Sequence, residues 1–335
     1  MKQVLAVGLV WVLLSGCKTE GTPGVDAGSS DAGSSSGPCA KMLLFRQWTA
    51  NPSAVALLYR IEKCGTGESI VLEPSASGKA FSELYRLTEN GEELSAEAVP
   101  RVTRSNGQRV YVTLLLDFSA STQPVKSNLI EAAKLFAQRL VSSSDNAHVG
   151  IQIFDGRAAP HVVLRPTRDL AELDSQLTAL GTATSGSPLL GPTPDTSSTD
   201  LNGAFVSAVS DNQAFQKLVV QRNADGIVTS GYTVVFTDGR DTSNRVAASM
   251  AKSAVASARG FTNEKSVVTT YAVALQGADY TAEARSALLN IVGEERFLIE
   301  GSLAQLNMRF TELADKIADQ AKSTHLLVYS SPTRT

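Results

Sequence analysis

Hydrophobic residues in the larger part of the chain follow two alternating patterns. Continuous apolar runs such as VYVTLLLD (110–117) and YTVVFTDG (232–239) reach an aspartate, which is typical of a strand buried on both faces. Between such runs lie segments with apolar residues at helical spacing, such as 124–143 and 303–322. Strands that alternate with helices of this length predict an α/β fold with a doubly wound, mostly parallel sheet flanked by helices.

Applied along the chain, this pattern gives a full set of elements. We predict strands over 110–117, 147–156, 160–167, 232–239, 266–275 and 296–300. We predict helices over 124–143, 168–180, 199–219, 242–260, 281–293 and 303–322. The stretch 181–198 is a Gly/Ser/Thr/Pro loop. It is long for a loop of a compact domain, which suggests that it has a function.

The preceding segment, 39–109, reads as a smaller β-rich region. Short runs of aliphatic and aromatic residues predict strands, and Asn90-Gly91 is a hairpin signal. The run 79–87 fits either a strand or a short helix. The last stretch, 323–335, contains one more predicted strand, which could pair with the β-rich region.

The N-terminus has the pattern of a targeting segment. Its apolar run, 4–14, is shorter than the about 20 residues that span a bilayer, so 1–16 reads as a secretory signal peptide. The ending Leu14-Ser15-Gly16-Cys17 resembles a bacterial lipobox, which implies lipidation of Cys17 and a membrane anchor. The alternative is an ordinary cleaved signal with an incidental cysteine. The Gly/Ser-rich segment 17–38 then predicts a flexible tether.

Two further expectations follow from a lipidated Cys17. Cys39 and Cys64 form an even pair in an oxidising compartment, which predicts a disulfide; two free thiols are the alternative. The protein is expected in the bacterial cell envelope, and Lys18 after the cysteine favours the outer membrane by resemblance to known sorting patterns. The formal net charge of −3 gives no indication of nucleic acid binding.

Hydroxyls and carboxylates gather where strands end. Asp117, Ser119 and Ser121 alternate in one loop after a strand, Thr199 precedes a helix, and Asp238 ends another strand. These hard oxygen ligands suit Mg²⁺ or Mn²⁺, with Ca²⁺ also open. The alternatives without a metal are that the serines cap the next helix and that Asp238 only forms a turn. Asp155 and Asp241 fit a turn residue and a residue at a helix N-terminus better than metal ligands.

These residues also carry a resemblance to a known family. Asp-x-Ser-x-Ser, then a Thr, then an Asp resembles the metal-ion-dependent adhesion site of von Willebrand factor A domains, over about 110–322. Ala120 and Thr122 stand where the family usually has Gly and Met. The resemblance implies that Ser119 and Ser121 bind the ion directly, and that the other three residues bind directly or through water. A partner's Asp or Glu carboxylate would complete the coordination.

Three functions fit these features. The first is a lipid-anchored binding module that grips an acidic group of a protein partner through a divalent cation and is not an enzyme. The second is a Mg²⁺-dependent, phosphatase-like hydrolase with Asp117 as phosphoryl acceptor, although Ser119 stands where a second carboxylate is wanted. The third is a structural envelope assembly factor.

Overall fold

The computed structural model describes residues 10–14, 40–51, 54–63, 68–70, 80, 84–89, 92–104, 108–222, 228–239, 241–259, 267–275, 280–300 and 303–331. The chain divides into two compact units. One unit is Met1–Ser105 with Ser323–Thr335, and the other is Asn106–Lys322.

The described strands are β1 (Val10–Leu14), β2 (Ala40–Asn51), β3 (Ala54–Lys63), β4 (Ser69–Ile70), β5 (Tyr85–Glu89), β6 (Glu92–Glu93), β7 (Arg101–Arg104), β8 (Gln108–Asp117), β9 (Ala147–Phe154), β10 (His161–Thr167), β11 (Val228–Thr237), β12 (Val268–Leu275), β13 (Phe297–Glu300) and β14 (His325–Ser330). The described α-helices are α1 (Lys126–Ser143), α2 (Leu170–Thr182), α3 (Leu201–Arg222), α4 (Ala248–Ala258), α5 (Ala282–Val292) and α6 (Leu303–Lys322).

The larger unit is built on a six-stranded sheet in the order β10-β9-β8-β11-β12-β13. All neighbouring strands are parallel except β10, which pairs antiparallel with β9. From β8 the chain first adds β9 and β10 on one side and then returns to add β11, β12 and β13 on the other. The strand order therefore reverses between β8 and β11, which is where ligands bind in open sheets of this kind.

Helices cover both faces of this sheet. Leu114 and Leu116 of β8 belong to a core formed with α1, α2 and α6, whereas Leu115 packs into a second core with α3, α4 and α5. All three leucines are 0% exposed, and burying each contributes about 1.5–3 kcal/mol. The two-sided core explains why β8 is apolar at successive positions, and it confirms the predicted fold class.

Two helix starts differ from the prediction. Helix α1 begins at Lys126 because Ala120–Val125, which contains Pro124, forms a 3-10 helix first. The predicted start of the fourth helix at Thr242 was wrong, since α4 begins only at Ala248. The intervening residues hydrogen bond to the loop before α3 instead of forming a helical turn.

The smaller unit contains two antiparallel sheets. One has the order β2-β3-β14-β7 with β4 on β3, and Leu327 of β14 lies opposite both Leu57 and Val102. The other has the order β1-β5-β6. The run 79–87 ends in a strand from Tyr85, whereas Leu84 is helical and 81–83 lie outside the described residues. Glu89 pairs with Glu92 across the predicted Asn-Gly turn, which lies outside the described residues.

Strand β1 lies within the predicted signal peptide and pairs antiparallel with β5. The signal peptide stays a prediction, and its removal would take β1 away and leave that side of β5 without this partner. In the described part of the chain, we find no helix with the length and hydrophobicity required to cross a membrane.

Cys17, Cys39 and Cys64 lie outside the described residues, so the disulfide stays a prediction. The described neighbours support it, because Ala40 and Lys63 are paired across β2 and β3. Each of them directly adjoins one of the two cysteines in sequence. Opposed residues of antiparallel strands have Cα atoms about 4.5–5.5 Å apart, which falls within the range that a disulfide spans.

We expect Cys39 and Cys64 to be bonded to each other in the oxidised protein. Thiol labelling of the native protein should modify neither residue until a reductant is added. The double variant C39S/C64S should lose about 3 kcal/mol of unfolding free energy in a denaturant titration, because its unfolded chain is less constrained. Modification of both cysteines before reduction would contradict the bond.

Candidate metal centre

Two aspartates meet where the order of strands reverses. Asp117 is the last residue of β8, and Asp238 directly follows β11. Leu116 and Phe236 are paired in the parallel register, so the two strands end at the same level. Both aspartates are almost fully buried, with exposures of 1% and 2%. The sheet thus holds two carboxylates close together at its carboxyl edge.

Hydrogen bonds fix the orientation of Asp117. Its Oδ1 accepts from the backbone N–H of Ser119 at 2.9 Å, and its Oδ2 accepts from the Thr237 hydroxyl at 2.7 Å. The Thr122 hydroxyl lies 3.0 Å from the Asp117 carbonyl oxygen and 2.8 Å from that of Ser119. The loop after β8 is therefore tied both to the neighbouring strand and to itself.

A chain of hydroxyls connects this loop to the second carboxylate. The hydroxyl oxygens of Ser119 and Ser121 lie 3.1 Å apart. Ser121 donates its hydroxyl to Oδ1 of Asp238 at 3.0 Å. Hydrogen bonds thus connect four of the predicted ligands, namely Asp117, Ser119, Ser121 and Asp238. Each of them contributes a side-chain oxygen.

Thr199 is held against the same region by a different loop. Its N–H donates to the Thr242 hydroxyl at 2.8 Å, and its carbonyl accepts from the N–H groups of Thr242 and Ser243 at 2.9 and 3.1 Å. Thr199 lines a cavity of about 310 Å³ together with Ser119 and Ser121. The rest of the lining is Ala120, Thr196, Ser197, Ser198, Gly239, Thr242 and Thr281.

Burial raises the pKa of Asp117 to about 6. Hydrogen bonds from Ser119 and Thr237 oppose this shift, and the nearby charge of Asp238 adds to it. A carboxylate in this setting is stabilised by a positive charge. The described residues that line the cavity supply none, since none of their side chains is ionisable as an acid or a base at neutral pH.

The side chains present fit a hard divalent cation. They offer two carboxylates and three hydroxyls, all oxygen donors, which is the ligand set preferred by Mg²⁺ and Ca²⁺. Asp117, Ser119, Ser121 and Asp238 would hold the ion from the two strand ends, and Thr199 would hold it from the loop before α3. We find no side chain in this group that would favour a softer metal.

Two other aspartates lie close in sequence but have different partners. Asp155 accepts from the N–H and Nε of Arg157 at 2.9 and 2.8 Å, as expected of a turn residue. We predicted Asp241 at the N-terminus of the helix that follows it. This prediction was wrong, because that helix, α4, begins only at Ala248. The Asp241 carboxylate instead accepts from the N–H of Asn202, in the first turn of α3, at 2.9 Å.

Sequence reasoning missed Thr122 and Thr237, which position the loop and the carboxylate. Both are buried, with exposures of 1% and 0%. The only signal in the sequence is a hydroxyl residue at a strand end or helix start, where local capping is the ordinary explanation. The role of Thr237 depends on a contact between β11 and β8, with Asp117 more than a hundred residues away. Thr122 instead bonds to carbonyl groups of its own loop.

Comparisons with solved structures identify von Willebrand factor A domains among the similar folds. The chain is similar to proximal thread matrix protein 1 from the mussel byssus, with 15% identity, 64% of this chain and 50% of that one covered, and a TM-score of 0.44. It is similar to a von Willebrand factor type A protein from Catenulispora acidiphila, with 15% identity, coverage of 83% and 49%, and a TM-score of 0.41. It is also similar to the von Willebrand factor domain of the type V pili tip protein Mfa5 from Porphyromonas gingivalis, with 13% identity, coverage of 64% and 96%, and a TM-score of 0.39.

The chain spans about half the length of the first two of these proteins. No family model matches the sequence, and no curated protein matches it. At these identities and TM-scores, the likeness supports no assignment of function.

Mg²⁺ affinity should depend on pH in a range where ordinary carboxylates are fully ionised. A proton on Asp117 must leave before an ion binds, so a pKa of about 6 makes protons compete with the metal. We expect the affinity to be constant above about pH 7 and about tenfold lower at about pH 5. Calorimetric titration at both pH values measures this, and equal affinities would contradict the raised pKa.

Proposed function

We propose that the larger unit is a binding module that uses a divalent cation to hold an acidic group of a protein partner. The observation that carries this proposal is the hydrogen-bonded network beside a hydroxyl-lined cavity, in which Ser119 and Ser121 connect two buried carboxylates. Such an arrangement is suited to holding a hard cation at the surface end of a rigid sheet.

The charge balance of the donors favours recognition of an anion. Asp117 and Asp238 match the charge of one divalent ion, and the hydroxyls of Ser119, Ser121 and Thr199 add no further charge. A bound Mg²⁺ would therefore stay electrophilic and accept one more anionic oxygen. The aspartate or glutamate carboxylate of a protein partner supplies an oxygen of the kind that Mg²⁺ prefers.

The surroundings of Asp117 give less support to catalysis. A phosphoryl-accepting aspartate needs an acid/base group within reach, and a carboxylate two residues on is the arrangement expected of the phosphatase-like alternative. Here Ser119 occupies that position, and its hydroxyl lies against that of Ser121. We therefore propose a non-enzymatic role, and an assay of phosphate monoester turnover tests the alternative.

Removal of either central carboxylate should abolish metal binding while leaving the fold intact. We expect D117N and D238N to bind Mg²⁺ at least about 100-fold more weakly in calorimetric titrations, because each loses one of the two charges that offset desolvation of the ion. Asparagine keeps a hydrogen-bond acceptor of similar size, so circular dichroism and the melting temperature of the metal-free proteins should change little.

D195N is the matched control for these variants. Asp195 lies in the loop beside the cavity, but its carboxylate accepts from Ser197 and Ser198 and is not a proposed ligand. Mg²⁺ binding by this variant should equal that of the unmodified protein. Unchanged Mg²⁺ affinity in D117N and D238N would contradict the metal centre.

Binding of a protein partner is tested by capture from envelope extract, with and without EDTA. EDTA-sensitive capture of a protein, lost in D117N and retained in D195N, is the expected outcome. Capture that is equal with and without EDTA would favour the structural assembly factor. Turnover of a phosphate monoester with Mg²⁺, lost in D117N, would favour the hydrolase.

We also propose that a lipid on Cys17 anchors the protein in the bacterial envelope, on the outer membrane. Substitution C17S should move the protein from the membrane fraction to the soluble fraction, because both the acyl chains and their attachment point are lost. Metabolic labelling with a fatty acid should mark the unmodified protein and not the variant. Membrane association of an unlabelled C17S protein would contradict the lipid anchor.

A further inference from the structure

A second cavity lies on the face of the central sheet that α3 covers. It has a volume of about 220 Å³ and lies between α3 and the strands β8, β9 and β10. It shares no lining residue with the metal-site cavity among the described residues. Apolar side chains form much of its rim, including Val162 and Leu218, which are 44% and 46% exposed.

An almost buried amide and a carboxylate are hydrogen bonded to each other at this groove. Gln152 is only 6% exposed, and its Nε2 donates to Oδ2 of Asp211 at 3.3 Å. This bond sets the orientation of the amide and leaves Oε1 buried without a hydrogen-bond partner among the described residues. The Asp211 carboxylate keeps further acceptor positions, so a donor that enters the groove would be stabilised there.

Asp211 adds a negative charge at the mouth of the groove. It lies on the exposed surface of α3, and the described residues form no ion pair with it. Arg165 is the one cationic side chain among the described residues that line the groove, and it forms no ion pair with Asp211. The described residues therefore give the Asp211 carboxylate no bonded donor that carries a positive charge.

We propose that this groove binds a lysine side chain of a protein partner. The aliphatic stem of lysine would pack on Val162 and Leu218, and Phe215 would contribute further apolar surface. The ammonium group would donate to the Asp211 carboxylate, which the Gln152 amide holds in place. Arg165 on the same groove disfavours a second cation, so the groove holds one.

The probe is Nα-acetyl-lysine N-methylamide, added to the full chain. Methyl resonances of Val162 and Leu218 should shift in a saturable way, with a dissociation constant in the millimolar range. The norleucine analogue has the same stem without the charge and should bind at least about threefold more weakly. Equal shifts from both analogues, or no shift at these methyl groups, would overturn the proposal.

Two substitutions with opposite expected effects sharpen the test. D211N removes the charge with little change in shape and should weaken lysine binding about three- to fivefold. R165Q removes the opposing charge and should leave binding unchanged or strengthen it up to about threefold. Weaker binding in R165Q together with unchanged binding in D211N would show that the groove prefers anions and would overturn the proposal.

E172Q is the control, because Glu172 is an exposed acidic residue of α2 that does not line the groove. Its lysine binding should equal that of the unmodified protein. EDTA should also leave lysine binding unchanged. This test can therefore refute lysine binding at the groove without refuting the metal centre. Loss of the metal centre would likewise leave the proposed lysine binding untouched.

Discussion

Two buried carboxylates share one hydrogen-bonded network at the carboxyl edge of the central sheet, and the rest of the site depends on this constraint. Transfer of an ionised carboxylate out of water is strongly unfavourable unless partners compensate it. Asp117 has two donors, yet its pKa is still raised to about 6 by burial and by the charge of Asp238. A proton or a cation beside Asp117 would therefore be stabilising.

The surrounding side chains decide between a proton and a cation at neutral pH. With a pKa of about 6, Asp117 is mostly ionised at pH 7, so protonation does not remove the charge. The described lining of the cavity offers hydroxyls and no ammonium, guanidinium or imidazole group. A solvent cation with a preference for oxygen ligands would complement Asp117 and these hydroxyls, as the proposed metal centre requires.

The sheet topology explains why these carboxylates meet, and the sequence pattern was sufficient to predict a mostly parallel sheet. Strands buried on both faces have continuous apolar runs, so the run ending at Asp117 could be recognised as such a strand. Parallel strands have their carboxyl ends at one edge, so two aspartates at the ends of neighbouring strands must lie close together. What the sequence could not give was the neighbour of β8, which depends on how the chain returns after β10.

The errors of sequence reasoning have a common physical cause. Thr242 and Asp241 satisfy backbone N–H groups of Thr199 and Asn202, about 40 residues earlier, instead of beginning a helix. A hydroxyl or carboxylate before an apolar, helix-forming run normally caps that helix. The local pattern was the same for both outcomes, and only the folded loop before α3 distinguished them. Thr237 escaped notice for the same reason, since its partner Asp117 lies on another strand.

The same rigid elements would separate the metal centre from the lysine groove by a fixed distance. Thr113 of β8 lines the groove, and Asp117 ends the strand four residues later, which corresponds to about 13 Å of extended chain. On α3, Leu201 and Asp211 are ten residues apart, which corresponds to about 15 Å along a helix. A partner with a carboxylate and an ammonium group at this spacing would engage both sites at once. Each contact is weak alone, but the second would form at the high effective concentration set by the first, so the spacing of charges on the partner would determine specificity.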